Sequence, residues 1–409
     1  MVVVGGGIAG ASAAARLASE GRSVLLLERE AVFSDRVRGE GMVPAGFLHA
    51  EAPGLGDVVL GTPGLNVTTH LVAYDETRSI EASESARVEL ATVEPKSPGL
   101  ICVGHPALRE RLVAHAAEVG VEVRRGVQAV AVENDPVAPS VQYTDAGGQT
   151  WLARCSLVIA ADGKDSEIRR SLGLELHQTT PRVFLTGMLV DDGGVWDRCV
   201  ASMGVEGGRK FYIQPRQDGL ARLYLGFTMA APRFTGPDRA RRFLEAFDFT
   251  CIPHAEELRH AAPAGPCAGY PMTDSWLDRP YADRVVFVGD AAGWSDPVIG
   301  QGLGIAFRDA RVLSDQLVGC DNWSSAQLDA YATERTERMR RLRFINLVST
   351  VFDQIGVPSD QRARKLERMA ELMKAEPELA KLRTLAMRDP LTVPAERFEP
   401  AGLVALAMA

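Results

Sequence analysis

The chain has 409 residues, 46% hydrophobic and 24% charged, enough for two or three domains around substantial cores. A formal net charge of −8 argues against nucleic acid or an anionic membrane as the main partner, because both need clustered Lys and Arg. The 6 cysteines (Cys102, Cys155, Cys199, Cys251, Cys267, Cys320) form no close pair, and the nearest histidines, His254 and His260, are too far apart to share one helical face, so neither disulfides nor a metal site are expected.

At the N-terminus, Val2-Val3-Val4 predicts a strand, Gly5-Gly6-Gly7-Ile8-Ala9-Gly10 a glycine turn, and 11–19 a small-residue helix. Residues 1–18 have the apolar, small-residue look of a secretory signal but no basic start, and three glycines interrupt them, so a cytoplasmic protein is expected. No stretch reaches the roughly 18 uninterrupted apolar residues of a membrane span. The next run, 24–27, lacks polar alternation, as in a parallel strand covered on both faces, and it ends in Glu28. Strand, glycine turn, helix, strand and acid form a dinucleotide-binding unit. Gly5, Gly7, Ile8, Ala9 and Gly10 would supply the tight turn, close pyrophosphate approach and helix packing, and Glu28 would reach a ribose, with its neighbour Arg29 a further candidate for cofactor binding.

Further on, Arg36-Val37-Arg38-Gly39-Glu40-Gly41 offers Arg38 as a phosphate fork. His105 precedes Pro106 and a helix predicted over 107–119. A second apolar strand, 155–161, runs into Asp162-Gly163-Lys164-Asp165. From 176 to 270 the period changes to two, with strands at 183–190, 209–214 and 221–228 and a hairpin turn at Gln217-Asp218-Gly219. Tyr212, Gln214, Arg222 and Tyr224 are alternating polar positions that face either a pocket or solvent. A third strand, 285–288, leads into Gly289-Asp290-Ala291-Ala292-Gly293-Trp294-Ser295-Asp296-Pro297 and then Gly300-Gln301-Gly302-Leu303-Gly304 at a helix start. From about 325 the chain is charged and helical, and its arginine-rich run 335–343 is expected to be a solvated helix face. The apolar tail 402–409 is expected to be a packed terminus or subunit contact.

The three glycine fingerprints, spread in order over 1 to about 325, resemble the class A flavoprotein monooxygenases, the family of para-hydroxybenzoate hydroxylase. The resemblance implies one FAD held by all three, with Asp290 on the ribityl chain, Gly300, Gly302, Leu303 and Gly304 at the flavin N1 and O2, His105 against the ring, and Asp162 serving both FAD and NAD(P)H. The fold it implies is α/β, a Rossmann-like FAD-binding domain (1–75, 100–175 and 270–325), an antiparallel β-sheet substrate domain (76–99 and 176–269) and a helical C-terminal region (326–409). Tyr212, Gln214, Arg222, Tyr224 and Pro297 are then the candidate substrate-pocket residues.

The activity it implies is NAD(P)H-consuming monooxygenation, one atom of O2 passing through a flavin C4a-(hydro)peroxide to a small organic substrate such as an aromatic or heteroaromatic natural-product intermediate. Baeyer–Villiger oxidation by the same oxidant is an alternative. Two departures loosen the link to the aromatic hydroxylases: Gly293 stands where many carry His, and Gly304 where many carry Asn. Gly-Asp-Ala-Ala-Gly is also similar to geranylgeranyl reductases, so a reductase or dehydrogenase stays open, as does a non-redox FAD-binding protein. A flavin halogenase is disfavoured, since no Trp-x-Trp-x-Ile-Pro segment occurs.

Overall fold

The computed structural model describes residues 1–320, 323 and 325–408. In chain order, the elements that carry the site are β1 (Val2–Val4), α1 (Ile8–Ser19), β2 (Leu25–Glu28), α2 (His105–Glu118), β3 (Val158–Ala160), β4 (Val183–Asp191), β5 (Val200–Glu206), β6 (Arg209–Pro215), β7 (Leu220–Thr228), β8 (Val285–Phe287), α3 (Gly302–Leu317) and α4 (Ser325–Asp353).

β8, β3, β1 and β2 lie side by side, all parallel, with Glu122–Arg125 beyond β2 and the antiparallel edge Tyr281–Ala282 beyond β8. Every residue of β1, β3 and β8 is buried, as parallel strands covered on both faces require. α1 lies almost on the backbone: a Cβ at Gly10 would come within 2.0 Å of the Gly5 carbonyl oxygen. Gly5 has a φ of +108°, and a Cβ there would meet the Ala161 carbonyl oxygen at 2.2 Å, so only glycine turns the chain between β1 and α1.

The second large sheet runs Ala262–Pro263, β4, β7, β6, β5, His70–Asp75 and Val88–Glu89, with Ala268–Pro271 also on β4. It is mixed rather than antiparallel throughout, because His70–Asp75 pairs parallel with β5. That strand, expected to close the first FAD-binding segment, is recruited by a partner 130 residues later, since His70 sits beside Val200. Between β6 and β7 the turn residues Asp218 and Gly219 both have positive φ, 60° and 71°, matching the twist of a two-residue hairpin.

One face of β6 and β7 puts Phe211, Ile213, Leu223 and Leu225 into a core with Phe243, Phe247 and Phe249. The alternate residues Lys210, Tyr212, Gln214 and Tyr224 turn the other way, toward the space between the two sheets. A third, antiparallel sheet, Gln128–Glu133, Ser140–Thr144 and Thr150–Arg154, was not legible in the sequence.

The run 335–343 is not a solvated face. Arg335, Arg338 and Arg341 are buried within α4 against the turn after β8, α3 and the C-terminal segment respectively. Beyond α4 the helices Ser359–Ala375, Pro377–Ala380 and Pro400–Met408 complete the chain, with Leu403 packed inside; Ala409 lies outside the described residues. Among the described residues no helix is long and apolar enough to cross a membrane.

Candidate functional site

The glycine turns after β1, β3 and β8 open onto a single cavity of about 1310 Å³ that continues across to the inner face of the second sheet. Of the residues singled out above, Gly5, Gly7, Ile8, Ala9, Glu28, Arg29, Arg38, His105, Asp162, Asp290, Pro297, Gly300, Gly302, Leu303, Tyr212, Gln214 and Tyr224 line it.

Three do not. Gly10 packs on Gly5 as described, and Gly304 lies against Gly46, where a Cβ would be 3.1 Å from that Cα, so both serve backbone approach and not the cavity. Arg222 is 1% exposed and folded into an ion pair: its Nη2 donates to Glu40 Oε1 at 2.9 Å and to Asp35 Oδ2 at 2.6 Å.

The end of the cavity nearest β1 is built for a dinucleotide. Both α1 and α3 begin at the cavity wall, neither has a side-chain cap at its N-terminus, and neither carries an acid in its first turn. Their free N–H groups are therefore left for an anion. A Cβ on Gly7 or Gly302 would meet nothing within 4 Å, so these glycines leave room that a side chain would fill.

Glu28 is held ready: its Oε2 accepts from Gly6 N and its Oε1 from Glu30 N, each at 2.7 Å, and Arg109 Nη2 stands 3.3 Å from Oε2. Asp162 uses one oxygen on Ile168 N at 3.2 Å, while its buried Oδ1 has no partner and burial raises its carboxyl. His105 Nδ1 is likewise buried without a partner. Burial, then the charges of Arg109, Arg38 and Arg36, push its imidazole down to about 3, so it is neutral in any ordinary buffer. Burial raises the Asp290 carboxyl, and Arg38, Lys164 and Arg335 pull it back. These vacant acceptors, donor-rich helix starts and Cβ-free surfaces fit FAD and call for no change in the residues present.

The Asp290 turn is held from behind by residues the sequence reading passed over. Arg335 donates to Asp309 Oδ2 at 2.8 Å, Ala292 O at 3.0 Å, Gly289 O at 3.2 Å and Gly293 O at 2.8 Å. Asp309 in turn accepts from Gly289 N at 2.9 Å and from Arg338 Nη2 at 2.6 Å. At Gly293 φ is +111°, and a Cβ would stand 2.4 Å from the Ser275 carbonyl oxygen, so the histidine common in aromatic hydroxylases has no space here.

Toward the second sheet the cavity becomes mostly apolar. Tyr212 OH donates to Val298 O at 3.1 Å and Tyr224 OH to Glu40 Oε2 at 3.1 Å; burial raises both phenols well above the usual value, so neither is an acid at neutral pH.

Asp296, which caps the Pro297 turn through Val298 N at 2.9 Å, has its carboxyl raised to about 6 by burial and by the nearby Asp274 and Asp353. A raised folded-state pKa gives stability that is complete below the unfolded value, near 3.8, and lost as pH climbs through about 6. Relative to Asp296→Asn, the wild type is therefore expected to lose up to about 3 kcal/mol between about pH 4 and 7. Urea unfolding of both proteins at each pH checks this, and a pH-independent difference contradicts it.

Comparison with known proteins agrees with this geometry. A family model described as FAD binding domain matches residues 1–343. Digeranylgeranylglycerophospholipid reductase 2 of Methanothermobacter thermautotrophicus is 26% identical over 82% of this chain and 82% of its own length. Rifampicin monooxygenase of Streptomyces venezuelae is 28% identical over 92% of this chain and 75% of its own. Some other relatives are much longer: of squalene monooxygenase from Mus musculus the chain spans 53%. Among solved structures, p-nitrophenol 4-monooxygenase PnpA from Pseudomonas putida DLL-E4 superposes with a TM-score of 0.77 at 20% identity, over 95% of this chain and 98% of that one.

Proposed function

The chain belongs to the FAD binding domain family, and from that premise we propose that it is an FAD-dependent, NAD(P)H-consuming monooxygenase that places one atom of O2 on a largely apolar small molecule. The observation that carries this reading is the continuity of the cavity: the dinucleotide cradle opens directly onto a chamber walled by Met203, Tyr212, Tyr224, Ile345, Val348 and Phe352.

FAD, when bound, supplies the redox and oxygen chemistry. The rest falls to the protein. The uncapped start of α3, at Gly302, lays N–H groups where negative charge would collect on a reduced pyrimidine ring. Asp290, Arg38 and Lys164 stand together to bind the sugar and phosphates, and Lys164 is itself steadied over the Trp294 ring at 4.3 Å. Tyr212, by its bond to Val298 O, fixes the Pro297 turn against the sheet, so cofactor and substrate walls share one rigid joint. The aliphatic residues of the chamber exclude water, which protects a reactive oxidant from wasteful decay. Hydroxylation and Baeyer–Villiger oxidation both fit such a chamber; an electron-rich ring favours the first and a strained ketone the second.

A second reading, saturation of a carbon–carbon double bond, is favoured by the reductase relative that aligns over most of both chains. Anaerobic titration with NADPH is expected to bleach the bound flavin, and readmission of labelled dioxygen with a panel of phenols and polycyclic ketones is expected to give product one labelled atom heavier. Product gaining two hydrogens and no label points to the reductase instead.

A further inference from the structure

Neither the cofactor cradle nor the core uses the charged pair at the far end of the chamber. Lys210, on the cavity face of β6, donates to Asp353 at the end of α4, and its side chain is only 4% exposed. Both residues line the cavity, beside Met203, Tyr212, Val348 and Phe352. An ammonium has three N–H donors, and among the described residues Asp353 is the single hydrogen-bond acceptor of this one. The Nζ also stands 5.1 Å from the Tyr212 ring centroid, which supports the charge without accepting a conventional hydrogen bond. A buried cation is thus neutralised but short of acceptors, in a wall that is largely hydrocarbon.

We propose that Lys210 selects the substrate: the chamber takes an apolar molecule that brings an uncharged oxygen acceptor, a carbonyl or hydroxyl, to the free N–H groups of Lys210, and it turns away the corresponding carboxylate. The ammonium charge is already matched by Asp353, and the Asp296 carboxyl also feels it. A second anion would sit beside these carboxylates at low dielectric, against a lysine whose charge is already matched. A neutral carbonyl supplies the missing acceptor and leaves the charge balance untouched. The inference rests on the monooxygenase reading only for taking this chamber as the substrate site.

The test is equilibrium binding to the purified, FAD-loaded full chain, followed by the change in flavin absorbance, with three probes of one shape: 2-acetylnaphthalene, 2-ethylnaphthalene and 2-naphthoate. Wild type is expected to bind the ketone about tenfold or more tighter than the other two, the effect of one hydrogen bond to a charged donor. Lys210→Met should bring ketone and hydrocarbon to within about twofold of each other. Asp353→Asn, which keeps the lysine and frees its charge, should reverse the order, with naphthoate at least about tenfold tighter than in wild type.

Equal affinity for the three probes in wild type, a ketone preference that survives in Lys210→Met, or an Asp353→Asn protein that still refuses naphthoate overturns the assignment. Because binding is read without turnover, a ketone preference in an enzyme that incorporates no labelled oxygen would count against the monooxygenase reading alone. Label incorporation without the preference would count against Lys210 alone.

Discussion

Arg335→Met is expected to purify nearly colourless, with its affinity for FAD lowered about a hundredfold or more. The side chain is 1% exposed and makes four hydrogen bonds, three of them to carbonyls of the turn that presents Asp290. Removing it strips those carbonyls of their donor and leaves Asp309, which is wholly buried, with Arg338 and the Gly289 amide alone. Breaking a buried ion pair from one side costs about 3–5 kcal/mol. Part of that loss appears as a lower melting temperature. The part felt at the turn appears as weaker cofactor binding, because Asp290 must be ordered at the moment FAD arrives.

The two contributions separate by experiment. If Arg335 positions the turn, a given excess of FAD raises the melting temperature of the variant less than that of the wild type, by the logarithm of the ratio of the dissociation constants. Arg335→Lys, which restores charge but not the fork, is expected to fall between the two, with a shifted flavin absorption spectrum. A variant of lowered stability whose FAD dissociation constant and spectrum match wild type would show Arg335 to be structural only.

A charged run on a predicted helix suggests a solvated face, and 335–343 has that composition. Yet Leu328, Tyr331, Ala332, Met339, Leu342 and Ile345 mark the buried stripe of α4, and Arg335 and Arg338 fall on that same stripe at helical spacing. Phase, more than composition, carried the signal. The aliphatic runs of β1, β3 and β8 were legible because burial on both faces removes polar alternation. The hairpin at Asp218 and Gly219 was legible because its backbone demands residues tolerant of positive φ.

For Tyr212, Gln214 and Tyr224, period two shows which side chains share a face but not what lies opposite, so pocket and solvent stayed equivalent until α4 and the Pro297 turn were in place. The sheet over 128–154 escaped because its edge strand Thr150–Arg154 is mostly exposed and shows no clean alternation. The parallel partner His70–Asp75 escaped because nothing local identifies a neighbour so distant in the chain.

Glu40 and Arg222 are expected to behave as one unit. Arg222, first read as a pocket residue, approaches Glu40 Oε2 at 2.5 Å through Nε, and Glu40 is 3% exposed. Arg216 Nη1 lies 3.6 Å from the same carboxylate, and the Tyr224 hydroxyl donates to it. Through this joint the second sheet grips the segment Arg38-Gly39-Glu40-Gly41, whose glycines run against His105 and Gln214: a Cβ would stand 2.7 Å from His105 Cδ2 at Gly39 and 2.5 Å from Gln214 Nε2 at Gly41.

Glu40→Gln and Arg222→Met are each expected to lower unfolding stability by about 2–4 kcal/mol, since each leaves a buried charge with only its secondary partner, Asp35 for Arg222 and Arg216 for Glu40. The double variant leaves neither charge stranded in that pair, so its loss should fall about 2 kcal/mol or more short of the sum. Tyr224→Phe, which spares the ion pair, should cost only about 1 kcal/mol. Because Arg38 stands two residues from Glu40, both single variants should also weaken FAD binding, whereas Tyr224→Phe should not. Strict additivity in denaturant unfolding of the four-protein cycle would mean that the two side chains are stabilised by separate neighbours, with Asp35 rather than Glu40 as the partner that matters to Arg222.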